Sequence, residues 1–150
     1  MTFSSPKNII SVTCILLFHQ EKVLVAQRSL EMDLPLLWEF PGGKVEKGET
    51  EEVCIVREIR EELGIEIGVV ERLEAFDHNY NDRKIIRLIP LLGYWVKGEI
   101  SLLEHSQVTW LAQTQLSEVE WAPADLPIVK QLERYWNNYH EKVLNFQNNH

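Results

Sequence analysis

Residues 43–65 read GKVEKGETEEVCIVREIREELGI, and the fold is read outward from this stretch. Thr50 is an N-cap residue type standing before a run without breakers. Gly64 is the type that ends helices in the left-handed conformation. The spacing predicts a helix over 51–63, with Val53, Val56, Ile59 and Leu63 as its buried stripe. Glu58 and Glu62, and Glu58 and Glu61, then lie on neighbouring positions of one helix surface. Like charges at these spacings oppose a helix unless cations lie between them. Just before it, EFPGGKVEKGET at 39–50 holds Pro41, Gly42, Gly43 and Gly48 and reads as a tightly bent loop.

On the N-terminal side, IISVTCILLF at 9–18 reads as a buried strand and VLVAQ at 23–27 as a second, followed by Arg28. Residues 29–38 read as loop. On the C-terminal side, 65–76 predicts one or two short strands and DHNYND at 77–82 a polar hairpin-like loop. KIIRLIPLLGYWV at 84–96 predicts a long strand, with Pro90 or Gly93 as points of interruption. A loop at 97–107, a short strand at 108–111 and one helical turn near 112–116 follow. The last helix is expected over 126–145, with Ile128, Val129, Leu132, Trp136, Tyr139 and Val143 inward and a frayed tail. This order implies an α/β fold with a mixed sheet between two helices.

The chain has 150 residues, 23 acids against 15 lysines and arginines, and a net charge of −8. That length fits one domain over 1–150, with a core at about 8–145. A net acidic chain lacks the basic footprint of a nucleic-acid backbone binder, so no polymer partner is expected. Cys14 and Cys54 sit among apolar residues and read as buried thiols. The first residues show no signal-peptide core and no run is apolar enough to span a membrane. A cytoplasmic protein without a membrane partner is expected.

Half the net charge has an address. Residues 43–66 hold eight acids and four bases. Magnesium suits such a place, since it takes hard oxygen ligands from a few carboxylates plus substrate phosphates and water. The plain alternative is a solvated acidic helix face.

The same stretch resembles a complete Nudix box: Gly43, five residues, Glu49, seven residues, Arg57-Glu58, an aliphatic, one residue, Glu61-Glu62, one residue, Gly64, an aliphatic. WEFPGGKVE at 38–46 and WAPADLP at 121–127 resemble the MutT branch, which sanitises nucleoside triphosphates. The resemblance implies the Nudix α/β/α sandwich and hydrolysis of a nucleoside triphosphate to the monophosphate and pyrophosphate. It implies magnesium, sometimes manganese, held by Glu58, Glu61 and Glu62, with Glu104 and the Gly42 carbonyl as further ligands. Glu58, then Glu61, is the implied water-activating carboxylate. Glu49 and Arg57 complete that set as an ion pair fastening loop to helix. Glu104 read alone is an exposed loop acid.

For substrate, the resemblance implies phosphate contacts from Arg28 and Arg83 and a base site lined by Phe40, with Lys44 beside the glycines. Each arginine is otherwise a solvated surface group. MutT-type enzymes of the oxidised-guanine branch carry asparagine where this chain has Asp125, and an ionised aspartate only accepts hydrogen bonds. Asp125 also stands where it would cap the last helix. The resemblance to the MutT branch, where that activity is common, puts 8-oxo-dGTP first as the expected substrate, with CTP or dCTP as the alternative and a non-catalytic nucleotide-binding protein behind both. The sequence leaves monomer and homodimer open.

Overall fold

The computed structural model describes residues 7–150; the first residues, read above for a signal peptide, lie outside them but for the last few. Strand β1 (Asn8–His19) turns into β2 (Lys22–Gln27). Two short strands follow, β3 (Trp38–Glu39) and β4 (Gly42–Lys44), and lead into helix α1 (Glu51–Leu63). Then come β5 (Glu66–Arg72), β6 (Phe76–Asn81), β7 (Lys84–Lys97) and β8 (Gln107–Leu111). Two 3₁₀ turns, Gln113–Glu118 and Pro123–Asp125, precede helix α2 (Leu126–Asn149).

One mixed sheet carries all of these strands in the order β3-β2-β1-β7-β5, with β4 on β1, β6 on β7 and β8 on β2. Its spine is the parallel pair β1–β7, running from Asn8 opposite Lys84 to Phe18 opposite Tyr94. Side chains alternate across a strand, so β1 feeds both cores. Cys14, Leu16 and Phe18 pack toward Ile128, Leu132 and Trp136 of α2. Ile15 and Leu17 pack toward Ile55, Ile59 and Leu63 of α1. Each such side chain contributes roughly 1.5–3 kcal/mol on burial. The helices therefore cover opposite faces, as the predicted sandwich requires.

Helix α1 starts and stops as its caps dictate. Thr50 accepts a hydrogen bond from the Val53 amide, and Gly64 is left-handed at φ 72°. Its buried side is rotated from the expected stripe: Cys54, Ile55, Ile59, Glu62 and Leu63 are buried, while Val53 is 57% exposed. Counting apolar residues alone missed that a glutamate belongs to the inner face.

Three further expectations are corrected. Residues 77–82 are mostly strand, since β6 pairs with β7 from Phe76 opposite Leu88 to Asn81 opposite Lys84. Neither Pro90 nor Gly93 interrupts β7. Pro90 falls where β7 changes partner, between Leu91 opposite Arg72 of β5 and Leu88 opposite Phe76 of β6. No ladder bond is needed from its missing N–H there, and its carbonyl accepts from the Leu73 amide. The tail does not fray at 146; α2 continues to Asn149.

The glycine-rich loop contains a short strand. β4 lies antiparallel on β1, with Gly42 opposite Cys14 and Gly43 opposite Thr13. A Cβ on Gly42 would lie 1.9 Å from the Thr13 carbonyl oxygen, so only glycine permits this approach. Both cysteines are buried and free. Among the described residues, no helix is long and apolar enough to cross a membrane.

Candidate active site

The β4 pairing sets the loop against one face of α1. Gly43 abuts Glu58 so closely that a Cβ would sit 2.2 Å from the Glu58 carboxyl carbon. Thr13 Oγ1 donates to the Gly43 carbonyl at 3.1 Å. Gly42 falls between bonded pairs of this ladder, so its carbonyl points away from β1.

Arg57 ties the loop to the helix. Its Nε donates to Glu49 Oε2 at 2.6 Å and its Nη2 to Glu49 Oε1 at 2.9 Å, a two-pronged pair. Nη2 also reaches the Lys44 carbonyl, and Nη1 reaches Glu58 Oε1 at 2.9 Å and Glu61 Oε2 at 3.1 Å. The Arg57 hydrogen bond holds the Glu49 carboxyl down to about 2.

Glu58 and Glu62 are not held down in this way. Burial pushes Glu58 up, beyond what Arg57 offsets, and the charges of Glu61 and Glu104 add to it. Burial likewise pushes Glu62 up to about 9, helped by Glu58, Glu104 and Glu39. Glu62 Oε2 is buried without a hydrogen-bond partner. Among the described residues no group of three or more His, Cys, Asp or Glu side chains stands arranged to hold a metal ion. Instead Glu58 and Glu62 line an inner wall, and Glu61 and Glu104 are exposed at its rim. A buried carboxylate with an orphaned oxygen, facing others of its own charge, has the chemistry of a divalent-cation site, and these residues fit one.

A second region adjoins it. His105 is buried, and its Nε2 lies 2.7 Å from Glu39 Oε2, while its Nδ1 lies 3.9 Å from Glu62 Oε2. The other Glu39 oxygen accepts from Arg28 Nη1 at 2.6 Å. Burial alone would raise Glu39, but the bonds from His105 and Arg28 outweigh it and hold its carboxyl low. Arg28 and Glu39 in turn line a cavity of about 300 Å³ with Tyr80, Lys84, Leu88 and Asp125. Asp125 reaches it because Trp38 accepts from the Ala122 amide and donates to Glu120, docking the 121–125 segment beside β3. Asp125 is buried, and its Oδ2 accepts from the Phe40 amide at 2.9 Å. Burial, and then the Glu39 charge, push its carboxyl well up.

The model of the NUDIX domain matches residues 7–139. The chain belongs to the Nudix family. It is 34% identical over 125 residues to the CTP pyrophosphohydrolase of Escherichia coli K12, across 81% of this chain and 90% of that protein. It is 31% identical over 113 residues to the 8-oxo-dGTP diphosphatase of the same strain, across 75% and 87% of the two. The solution NMR structure of the DNA mismatch repair protein MutT from methicillin-resistant Staphylococcus aureus 252 is 42% identical, with TM-score 0.70 over 86% of this chain and 98% of that one.

Of the residues expected in this Nudix site, the fold gathers Gly42, Glu49, Arg57, Glu58, Glu61 and Glu62 around the loop–helix junction. Glu104 is exposed, and its charge bears on Glu58 and Glu62. Arg28 and Asp125 share the cavity, but Asp125 makes no capping bond to α2, so its alternative reading as a cap falls away. Phe40, Lys44 and Arg83 do not line the cavity. The Phe40 ring is in the core against Trp121, at 4.8 Å between centroids, and only its amide serves the site. Lys44 is exposed and meets Arg57 through its carbonyl. Arg83 stands in the β6–β7 turn and does not line the cavity, while Lys84 does. The alternation Lys84, Ile86, Leu88 was the available sign, since all three face the cavity. Glu39 and His105 went unnoticed, because a lone glutamate and a lone histidine carry no spacing signal.

Proposed function

We propose that this Nudix chain is a divalent-metal-dependent nucleoside triphosphate diphosphatase that releases the nucleoside monophosphate and pyrophosphate. The observation that carries this reading is the junction of two regions: a cavity holding Arg28 and buried Asp125, and a carboxylate wall built from the box helix. Nudix hydrolases generally use divalent metals, and Glu58, Glu61, Glu62 and Glu104 are the residues that would hold them, with the Gly42 carbonyl. Bound magnesium or manganese would offset phosphoryl charge and lower the pKa of a coordinated water.

The chain's own groups supply the rest. Arg57 occupies Glu58 Oε1, which leaves Oε2 to bind a cation or to take a proton from the attacking water. Glu61 is second choice for that proton. Arg28 presents a guanidinium to phosphate oxygens. With its carboxyl raised, Asp125 can stay protonated and so donate to, as well as accept from, a base edge.

The base is proposed to be oxidised guanine, as 8-oxo-dGTP. The similarity to a CTP pyrophosphohydrolase and the aspartate at 125 favour CTP or dCTP as the second reading. Steady-state kcat/KM for 8-oxo-dGTP, dGTP, CTP and dCTP tests both. A preference of about tenfold or more for a cytidine nucleotide, some 1.4 kcal/mol of transition-state binding, overturns the first. Glu58→Gln is expected to lower kcat by about 10²-fold or more in a folded protein. Full activity in that variant would remove Glu58 from its role, and no hydrolysis of any nucleotide by the parent protein would leave only a binding function.

A further inference from the structure

Between the carboxylate wall and the nucleotide cavity runs a part-buried line of polar side chains. Arg28 meets Glu39 at 2.6 Å, Glu39 meets His105 at 2.7 Å, and His105 Nδ1 faces Glu62 Oε2 at 3.9 Å. Glu39 is committed at both oxygens. The His105 ring is thereby anchored through Nε2, with its side chain only 3% exposed. Among the described residues, the only buried side-chain nitrogen or oxygen atoms without hydrogen-bond partners are His105 Nδ1 and Glu62 Oε2. That two such atoms face one another is unusual, because buried polar groups are nearly always satisfied. Closing the gap by about 1 Å would make an ordinary hydrogen bond.

The segment that carries His105 is itself fastened to the end of α1. The Ser101 amide donates to the Leu63 carbonyl at 2.9 Å and the Leu103 amide to the Glu62 carbonyl at 3.3 Å. On the other side, the Ser106 amide donates to the Gln27 carbonyl at 3.0 Å. His105 is thus held from both flanks against the one box glutamate that is buried.

We infer that His105 is a positioning residue: anchored by Glu39, it fixes the direction in which Glu62 presents its carboxylate to a divalent cation. The inference rests on the reading of Glu62 as a metal ligand. Glu39 serves as the outer brace, and its bond to Arg28 ties that brace to the nucleotide cavity. Groups that orient a metal ligand from behind characteristically change metal affinity by about 10- to 100-fold when removed.

The test is Mn2+ binding to the full chain without nucleotide, read from the EPR signal of free Mn2+, alongside steady-state hydrolysis at rising Mg2+. His105→Phe is expected to weaken Mn2+ by about tenfold or more. It should lower kcat at low Mg2+ and recover much of it at high Mg2+, with KM for nucleotide little changed. His105→Asn, whose amide stands near the Nδ1 position, is expected to retain more Mn2+ affinity than the phenylalanine variant. Glu39→Gln should weaken Mn2+ in the same direction, and the double variant should be no worse than the poorer single one. A purely structural role predicts a loss of activity that added Mg2+ does not repair, and that result would overturn the proposal. So would unchanged Mn2+ affinity in His105→Phe where Glu62→Gln does weaken it. If Glu62→Gln and Glu58→Gln also leave Mn2+ binding unchanged, the metal-site reading itself fails.

Discussion

A Cβ at Gly43 would lie 2.2 Å from the Glu58 carboxyl carbon and 2.3 and 2.6 Å from its oxygens. The backbone there is extended strand, which alanine adopts freely, so Gly43→Ala changes only the space in front of Glu58. Ordinary contact between carbon atoms needs about 3.5 Å, so the carboxylate must retreat by about 1 Å. It is the end of a flexible side chain and can do so. Displacements of that size at a reacting group reduce rate by about 10²-fold. Gly43→Ala is therefore expected to lower kcat about 100-fold while stability stays within about 1 kcal/mol, or roughly 4 °C in Tm. Gly42→Ala is the control. Its Cβ would meet the Thr13 carbonyl oxygen at 1.9 Å, and that backbone cannot move without opening the β1–β4 ladder. A loss on the order of 3 kcal/mol is expected there. The assay is pyrophosphate release at saturating Mg2+ with parallel thermal melts. Gly43→Ala retaining kcat within about threefold of the parent, or melting as early as Gly42→Ala, would refute the reasoning.

Arg57→Lys removes the two-pronged bond to Glu49 and the support of Glu58. A drop in kcat between about tenfold and 100-fold is expected, with charge alone unable to restore it. Thr50→Ala removes the acceptor for the Val53 amide. Denaturant melts should show a loss of about 1 kcal/mol, and an unchanged midpoint would show that this cap does not bear on stability. Asp125 has a raised carboxyl in the folded state, so the fold binds its proton more tightly than the unfolded chain does. Its contribution is therefore full below an unfolded pKa near 4 and declines as pH rises toward the folded value. In EDTA, Tm of the parent should fall more between pH 5 and 8 than that of Asp125→Asn; parallel slopes would contradict this.

Helix α1 was legible because its instructions are local. Thr50, Gly64 and the glutamate spacing sit within one short segment, and the caps act on their own neighbours. What was not legible depends on partners distant in sequence. DHNYND has no apolar alternation to mark a strand, and it becomes one because β7 offers it an edge. Pro90 looked like a break because its tolerance depends on β5 ending and β6 beginning beside it. Glu62 reads in the sequence as one of three like glutamates, with Glu58 and Glu61; that it alone is buried follows from the 97–106 segment folding over the end of α1. Lys84 rather than Arg83 reaches the cavity because the turn fixes which side of β7 comes first. Glu39 beside His105 joins positions 66 residues apart, a pairing with no mark in either local sequence.

The parallel pairing of β1 with β7 also has a consequence during synthesis. Asn8 waits for Lys84, and Phe18 for Tyr94, before the centre of the sheet can close. Until then CILLF at 14–18 has no partner on that edge, although β2 and α1 have already been made. Pairings this distant close slowly, since the loop entropy is lost before the contacts repay it. An unfinished chain thus displays its most apolar strand with one edge open, a template for pairing with another copy. Solubility during expression should therefore be more sensitive to changes in residues 84–94 than native stability alone would indicate.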